Sequence, residues 1–149
     1  MKIYVASSWR NEERQQAVVK RLREIGHEVY DFRQPTEGDN GFHWTEIDPN
    51  WKQWTPAEFR NHLLSDPIAE SGFAKDFAAM EWADAFVLVM PCGRSAHLEL
   101  GWAAGARKPT IVLLSDGEPE LMYRMATHIC VDLVELDAAM RQLAAGPEY

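Results

Sequence analysis

Residues 85–90, AFVLVM, form an unbroken apolar run with no polar residue to turn toward water. A strand of this kind is buried on both faces, as the central strands of parallel sheets are. It therefore calls for helices on both sides of a sheet, and the flanking sequence supplies them. Residues 2–6 (KIYVA), 27–32 (HEVYDF), 110–114 (TIVLL) and 128–133 (HICVDL) are four further short β-rich runs. Between the first two, Val18, Leu22 and Ile25 follow i, i+4, i+7 spacing behind Asn11 as N-cap, with Glu12 and Glu13 in the first turn and Gly26 as the stop. Further helices are expected from Pro56, a favoured first-turn residue, to about Leu64, and over 68–83 with Phe73, Phe77 and Met80 on a buried face. Others are expected over 95–107, 119–127 and 135–145. Strands alternating with helices predict an α/β fold: a Rossmann-like or flavodoxin-like three-layer sandwich with a five-stranded, mainly parallel sheet and right-handed crossovers.

One stretch interrupts this alternation. Residues 33–55 hold Pro35, Pro49, Gly38, Gly41, several acids and the rings of Phe42, Trp44, Trp51 and Trp54, and no period of 2 or 3.6 runs through them. A structureless loop of this length is unusual in a compact domain unless it serves function or is disordered, and disordered segments are poor in aromatics. An ordered, Trp-rich insertion in a single domain spanning 1–149 is the expectation. Its rings anchor a structural loop or touch a ligand, and the sequence weighs these two readings equally.

Composition narrows the partners. The chain has 149 residues, enough for one domain with a real core. Its 15 basic and 23 acidic residues give a net charge of −8, which argues against a nucleic-acid polymer as partner because backbone binding needs a basic surface. A small anion in one local pocket remains compatible with that charge. Cys92 and Cys130 lie in or beside apolar runs without metal-ligand spacing and read as reduced, buried thiols. The start, MKIYVASS, enters a strand without the apolar stretch of a signal peptide, and no 18-residue apolar stretch occurs, so a soluble cytoplasmic protein is expected. The five histidines lack HxxxH or HxH spacing, so no metal and no cofactor is expected. There is also no GxGxxG and no GxxxxGK[ST] to support NAD(P) or ATP.

In an open parallel sheet, ligands bind beyond the C-terminal ends of the strands, near the switch in strand order. The segments expected there are Ser7, Ser8 and Arg10 after the first strand, Asp31 and Phe32 leading into the insertion with Phe42, His43 and Trp44, and Gly93, Arg94, Ser95 and His97 after the third strand. Hydroxyls, backbone N–H groups and guanidiniums at helix starts suit phosphate, although an ordinary N-cap is the commoner use of such a serine. Glu99 stands at the edge of the stripe made by Ala96, Leu100 and Ala103, in the early turns of its helix. Asp76 flanks the Phe73–Phe77–Met80 face. Two carboxylates at one cleft divide labour between nucleophile and proton handling. Asp84, directly before a strand, reads as a structural turn residue.

Taken together, IYVASSWRN at the start, the Asp76 helix, the apolar strand and the loop leading to E-L-G-x-A at Glu99-Leu100-Gly101 resemble the nucleoside 2-deoxyribosyltransferase superfamily, which includes 2′-deoxynucleoside 5′-phosphate N-hydrolases and CMP N-glycosidases. The resemblance runs from Met1 to about Leu114. It implies that Glu99 attacks C1′ of the sugar and expels the base, that Asp76 contacts the sugar or assists the leaving base, and that water or a second base completes the reaction. Ser8 and Arg10 match the S-x-R of phosphate-accepting members, which with Ser95 tilts the expected substrate toward a 5′-monophosphate. The resemblance further implies a homodimer or larger homo-oligomer. The approach to the nucleophile, R-S-A-H-L, departs from the small or Gly-rich loop usual in the family, and the Trp-rich segment is likewise distinctive. Two other readings stand beside this one: an NAD glycohydrolase of the kind found among TIR domains, and a nucleotide-binding module without turnover.

Overall fold

The computed structural model describes residues 1–115, 118 and 120–146. In chain order its elements are β1 (Lys2–Ala6), α1 (Glu12–Glu24), β2 (Glu28–Asp31), α2 (Pro56–Ser65), α3 (Pro67–Trp82), β3 (Ala85–Val89), α4 (Arg94–Gly105), β4 (Thr110–Leu113), β5 (His128–Cys130) and α5 (Leu133–Ala145). They fall into two compact units, Met1–Asp31 with Trp82–Tyr149, and Phe32–Glu81.

The first unit is built on a five-stranded sheet of order β2-β1-β3-β4-β5, parallel at every pairing. The expected α/β sandwich is thus present, with a wholly parallel sheet. All five residues of β3 are buried, which explains the unbroken apolar run. Ile3, Val5, Val87, Val89, Ile111 and Leu113 turn to one face, where Val18, Val19 and Leu22 of α1 and Leu136, Ala139 and Met140 of α5 close the core. On the other face Tyr4 stacks between Tyr30 and Phe86, at centroid distances of 5.3 and 4.9 Å. Helix α4 packs on that face over β1, β3 and β4, burying Ala96, Leu100 and Ala103. Asp84 has the turn role expected of it. Its carboxylate accepts from the Lys2 backbone N–H at 2.8 Å, and its own N–H donates to the Lys2 carbonyl at 2.8 Å.

The second unit is ordered by local chemistry. Residues 33–55 are not featureless: they contain 3-10 turns at Trp44–Glu46 and Trp51–Gln53. Helix α2 then opens with a reciprocal cap, in which Thr55 Oγ1 accepts from the Glu58 N–H (3.2 Å) and the Glu58 carboxylate accepts from the Thr55 N–H (2.7 Å).

Two expectations need correction. Phe73 is not on a buried face of α3; it is 65% exposed, and the buried residues are Ala69, Ala79 and Met80. Phe73 and Phe77 instead stack on each other along the helix at 5.4 Å, a gain available to an i, i+4 aromatic pair without a core. The helix expected over 119–127 is a 3-10 turn at Leu121–Met125, and Pro119, its expected first residue, lies outside the described residues. Among the described residues no helix is long and apolar enough to cross a membrane.

Candidate functional site

The chain runs from β1 outward to β2 and then returns to the other side of β1 as β3, so the switch in strand order lies between β1 and β3. The loops that leave these two strands are laced together. Ser7 Oγ donates to the Val89 carbonyl at 2.9 Å, and Asn11 Nδ2 donates to the Pro91 carbonyl at 3.2 Å and to Ser7 Oγ at 3.4 Å. Ser8 folds the first loop on itself: its Oγ accepts from the Arg10 N–H (3.1 Å) and its carbonyl from the Asn11 N–H (3.0 Å). Asn11, expected only as a helix cap, makes no side-chain cap bond and serves as the lace instead. Arg10 and Arg94 are exposed, and neither guanidinium has an ion-pair or hydrogen-bond partner among the described residues. Gly93 caps α4 without a side-chain hydrogen bond, so no cap side chain competes for the first-turn N–H groups, and a helix start of this kind suits an anion.

Glu99 is half-buried on α4. Its charge reaches Cys92: the thiol is pushed up to about 12, first by burial and then by the Glu99 carboxylate. Cys92 is therefore a protonated, poorly nucleophilic thiol at neutral pH. His97 lies roughly 160° around the helix from Glu99 at 3.6 residues per turn, on the opposite flank of the buried stripe. Its Nδ1 is 2.7 Å from the Gly93 carbonyl and its Nε2 is 2.8 Å from the Tyr123 hydroxyl. A carbonyl only accepts, so Nδ1 carries a proton, while the Tyr123 hydroxyl that meets Nε2 also lies 3.3 Å from Met90 Sδ. Both ring nitrogens are thus engaged. Leu100, Ala104, Met122 and Met125 join His97 and Tyr123 around a cavity of about 380 Å³ on this flank. Tyr123 had no signal in the sequence, because it lies 26 residues from its partner and in no periodic pattern.

At the end of β2, Asp31 is 4% exposed, and its oxygens accept from Gln15 Nε2 (2.8 Å) and Gln16 Nε2 (2.9 Å). A carboxylate so placed holds α1 to β2.

The second unit has its own cavity, of about 390 Å³, whose lining includes Asp39, Phe42, Glu46, Gly72, Lys75 and the half-buried Asp76. Asp39 pairs with Lys75 and accepts from the Gly41 N–H at 2.9 Å. These bonds, Lys75 first, hold its carboxyl below the usual carboxylate range. The backbone of Gly41 is left-handed, with φ +78°. Phe42 then lies against Gly72: a Cβ added there would stand 2.8 Å from Phe42 Cδ2. The other tryptophans of this segment are occupied in structure. Trp44 meets Phe42 edge-on at 4.7 Å and contacts Phe59 at 5.3 Å and Trp54 at 6.0 Å; Trp54 stacks on His62 at 4.1 Å and donates to Asp48 at 2.8 Å. Of the three insertion residues expected at a ligand, Phe42 lines the cavity, Trp44 sits inside this cluster, and His43 Nε2 contacts the Asn40 carbonyl at 3.0 Å. Phe32 carries the Arg33 guanidinium over its ring at 5.5 Å. Asp39, Gly72 and Lys75 were not foreseen. Among the described residues no cluster of three His, Cys, Asp or Glu side chains could hold a metal ion.

No protein-family model matches the sequence, and no curated protein matches it. Solved structures do. A 2-deoxyribosyltransferase from the psychrotolerant bacterium Bacillus psychrosaccharolyticus superposes with a TM-score of 0.62 at 24% identity, over 92% of this chain and 90% of that one. The CMP N-glycosidase BcmB of Clostridium botulinum superposes with a TM-score of 0.56 at 19% identity, over 93% of this chain and 99% of that one. The chain therefore has the fold of a 2-deoxyribosyltransferase and a CMP N-glycosidase, the fold its E-L-G segment resembles in sequence.

Proposed function

We propose that this chain cleaves the N-glycosidic bond of a nucleoside or nucleoside 5′-monophosphate, with Glu99 as nucleophile. The observation that carries the reading is the half-buried Glu99 on α4, the helix following the central strand β3, in a chain with the fold of two enzymes of N-glycosidic chemistry. The Glu99 carboxylate forms a bond to C1′ as the C1′–N bond breaks, and the electron pair leaves with the base. Asp76 delivers the proton that the departing base needs. Water, or a second base, then displaces Glu99 from C1′, and the proton released returns to Asp76. Arg10, Arg94 and Ser95, with the first-turn N–H groups of α4, receive a 5′-phosphate. Their free cationic groups support that role. The exposed Leu98, Leu121, Met122 and Met125 support self-association, which sedimentation tests directly.

The test is a base-release screen. Ribo- and deoxyribonucleosides, their 5′-monophosphates and NAD are each incubated with the protein and with Glu99→Ala, with and without an acceptor base. Release from nucleosides or their monophosphates that disappears in the variant is expected. Release confined to NAD would transfer the assignment to an NAD glycohydrolase. Silence across the panel with ligand still bound would leave a binding module.

A further inference from the structure

We propose that Met90, Cys92 and His97 form a binding site for one soft monovalent metal ion, copper(I), where the chain turns from β3 into α4. None of the three has a role in the glycosidic reading above.

The donors lie close together in sequence, in M-P-C-G-R-S-A-H at 90–97, so bringing them round one ion closes only a short stretch of chain. The Cys92 sulfur stands 3.5 Å from Met90 Sδ and 3.7 Å from His97 Nδ1. With metal–sulfur bonds of about 2.3 Å and metal–nitrogen bonds of about 2.0 Å, a tetrahedral or trigonal ion keeps neighbouring donors about 3.5–4.0 Å apart. Both separations already meet that spacing. All three side chains are half-buried, partly shielded from water yet within reach of an ion.

The donor set names the ion. Thiolate and thioether are soft ligands that select copper(I). Zinc draws on Cys, His and carboxylates, and no three such side chains among the described residues could hold a metal ion. Here the third donor is a thioether. Tyr123 backs the other two donors, with its hydroxyl 3.3 Å from Met90 Sδ and 2.8 Å from His97 Nε2. As the copper–sulfur bond forms, the Cys92 thiol proton leaves to solvent. The Nδ1 proton, given to the Gly93 carbonyl in the free protein, moves to Nε2, and Nδ1 turns its lone pair to the ion. Nε2 then donates to the Tyr123 hydroxyl, the kind of outer partner that fixes a ligating histidine. The Gly93 carbonyl keeps the His97 backbone N–H at 3.4 Å. Met122 and Met125, each 55% exposed, line the cavity that also meets His97 and Tyr123. They add soft donors on an approach from solvent, as a metal site with an entry path requires.

The full chain, titrated with copper(I) under reductant and without oxygen, should withdraw one ion per chain from a chromogenic copper(I) chelator and gain a thiolate-to-copper absorption band. Cys92→Ser should abolish both signals. Met90→Leu, which conserves volume, and His97→Gln should each weaken binding by more than about tenfold, and Tyr123→Phe by about tenfold through loss of the outer partner. Cys130→Ala should leave binding unchanged, since Cys130 is buried on β5. Circular dichroism of each variant separates loss of a ligand from loss of the fold. No withdrawal of copper, or binding that survives Cys92→Ser, would overturn the site. Binding indifferent to both Met90→Leu and His97→Gln would reduce it to attachment at a thiol and overturn it equally. Tighter binding of zinc than of copper(I) would overturn the choice of ion.

Discussion

Replacing Gly72 by alanine sets two effects of opposite sign against each other, and the Phe42 contact decides which wins. In a helix interior the change should stabilise by about 1 kcal/mol through propensity alone. Here the new Cβ would stand 2.8, 3.0 and 3.1 Å from Cδ2, Cγ and Cβ of Phe42, and that ring is backed by Trp44. Overpacking against a held side chain costs about 1–3 kcal/mol. The net for Gly72→Ala is then a destabilisation of about 0–2 kcal/mol. In a Phe42→Ala background the clash is gone, and the same substitution should stabilise by about 1 kcal/mol. The sign change is the signature, and the coupling between the two positions should lie near 1–3 kcal/mol. Urea titrations of the four proteins followed by tryptophan fluorescence would measure it, with Trp44, Trp51 and Trp54 reporting from the same unit. Equal stabilisation by Gly72→Ala in both backgrounds would mean that Phe42 does not rest on Gly72.

Glu99→Gln should abolish base release and, because burial is the larger cause, speed labelling of Cys92 only modestly in a Cys130→Ala background. With the native carboxylate in place, the thiol stays almost wholly protonated at pH 8, so labelling should be slow until the chain is denatured; rapid labelling of the folded protein would refute the environment assigned to Cys92. Asp31→Asn turns an amide N–H toward the Gln15 or Gln16 donor and should cost about 1–3 kcal/mol, a fall in Tm of several degrees; an unchanged Tm would show that the carboxylate is dispensable. Asp137 is held below its ordinary range, chiefly by the Arg21 hydrogen bond. A depressed folded-state value adds stability that is complete above the unfolded value of about 3.9 and is lost as pH falls through the folded one. Asp137→Asn should therefore lower stability at pH 7 and flatten its decline below about pH 4, and an acid limb as steep as wild type would refute this.

The sheet was legible because each strand announces itself locally. AFVLVM had only one way to be satisfied, and the Ala96–Leu100–Ala103 stripe was enough to place Glu99 at its margin. Short-range rules failed where contacts span the chain. Nothing in the spacing of Asp39 and Lys75, or of Phe42 and Gly72, shows that they meet, since each pair joins an aperiodic segment to a helix. The Trp-rich stretch read as equally structural or ligand-facing, and the split runs within it: Trp44 and Trp54 pack on one another while Phe42 turns to the cavity. Phe73 misled because helical spacing records which residues share a face but not whether anything covers that face.

The whole of the second unit lies within the connection between β2 and β3. Both strands pair with β1, so the sheet dictates only where that connection begins and ends. Closure entropy grows with the logarithm of length, and doubling such a connection costs about 0.6 kcal/mol. Descendants of this chain could therefore lengthen, trim or exchange this stretch and its cavity at small thermodynamic penalty, while the strand-end loops and Glu99 pass unaltered from one version to the next. Diversification of substrate range would then be recorded in insertions between β2 and β3 rather than in the sheet.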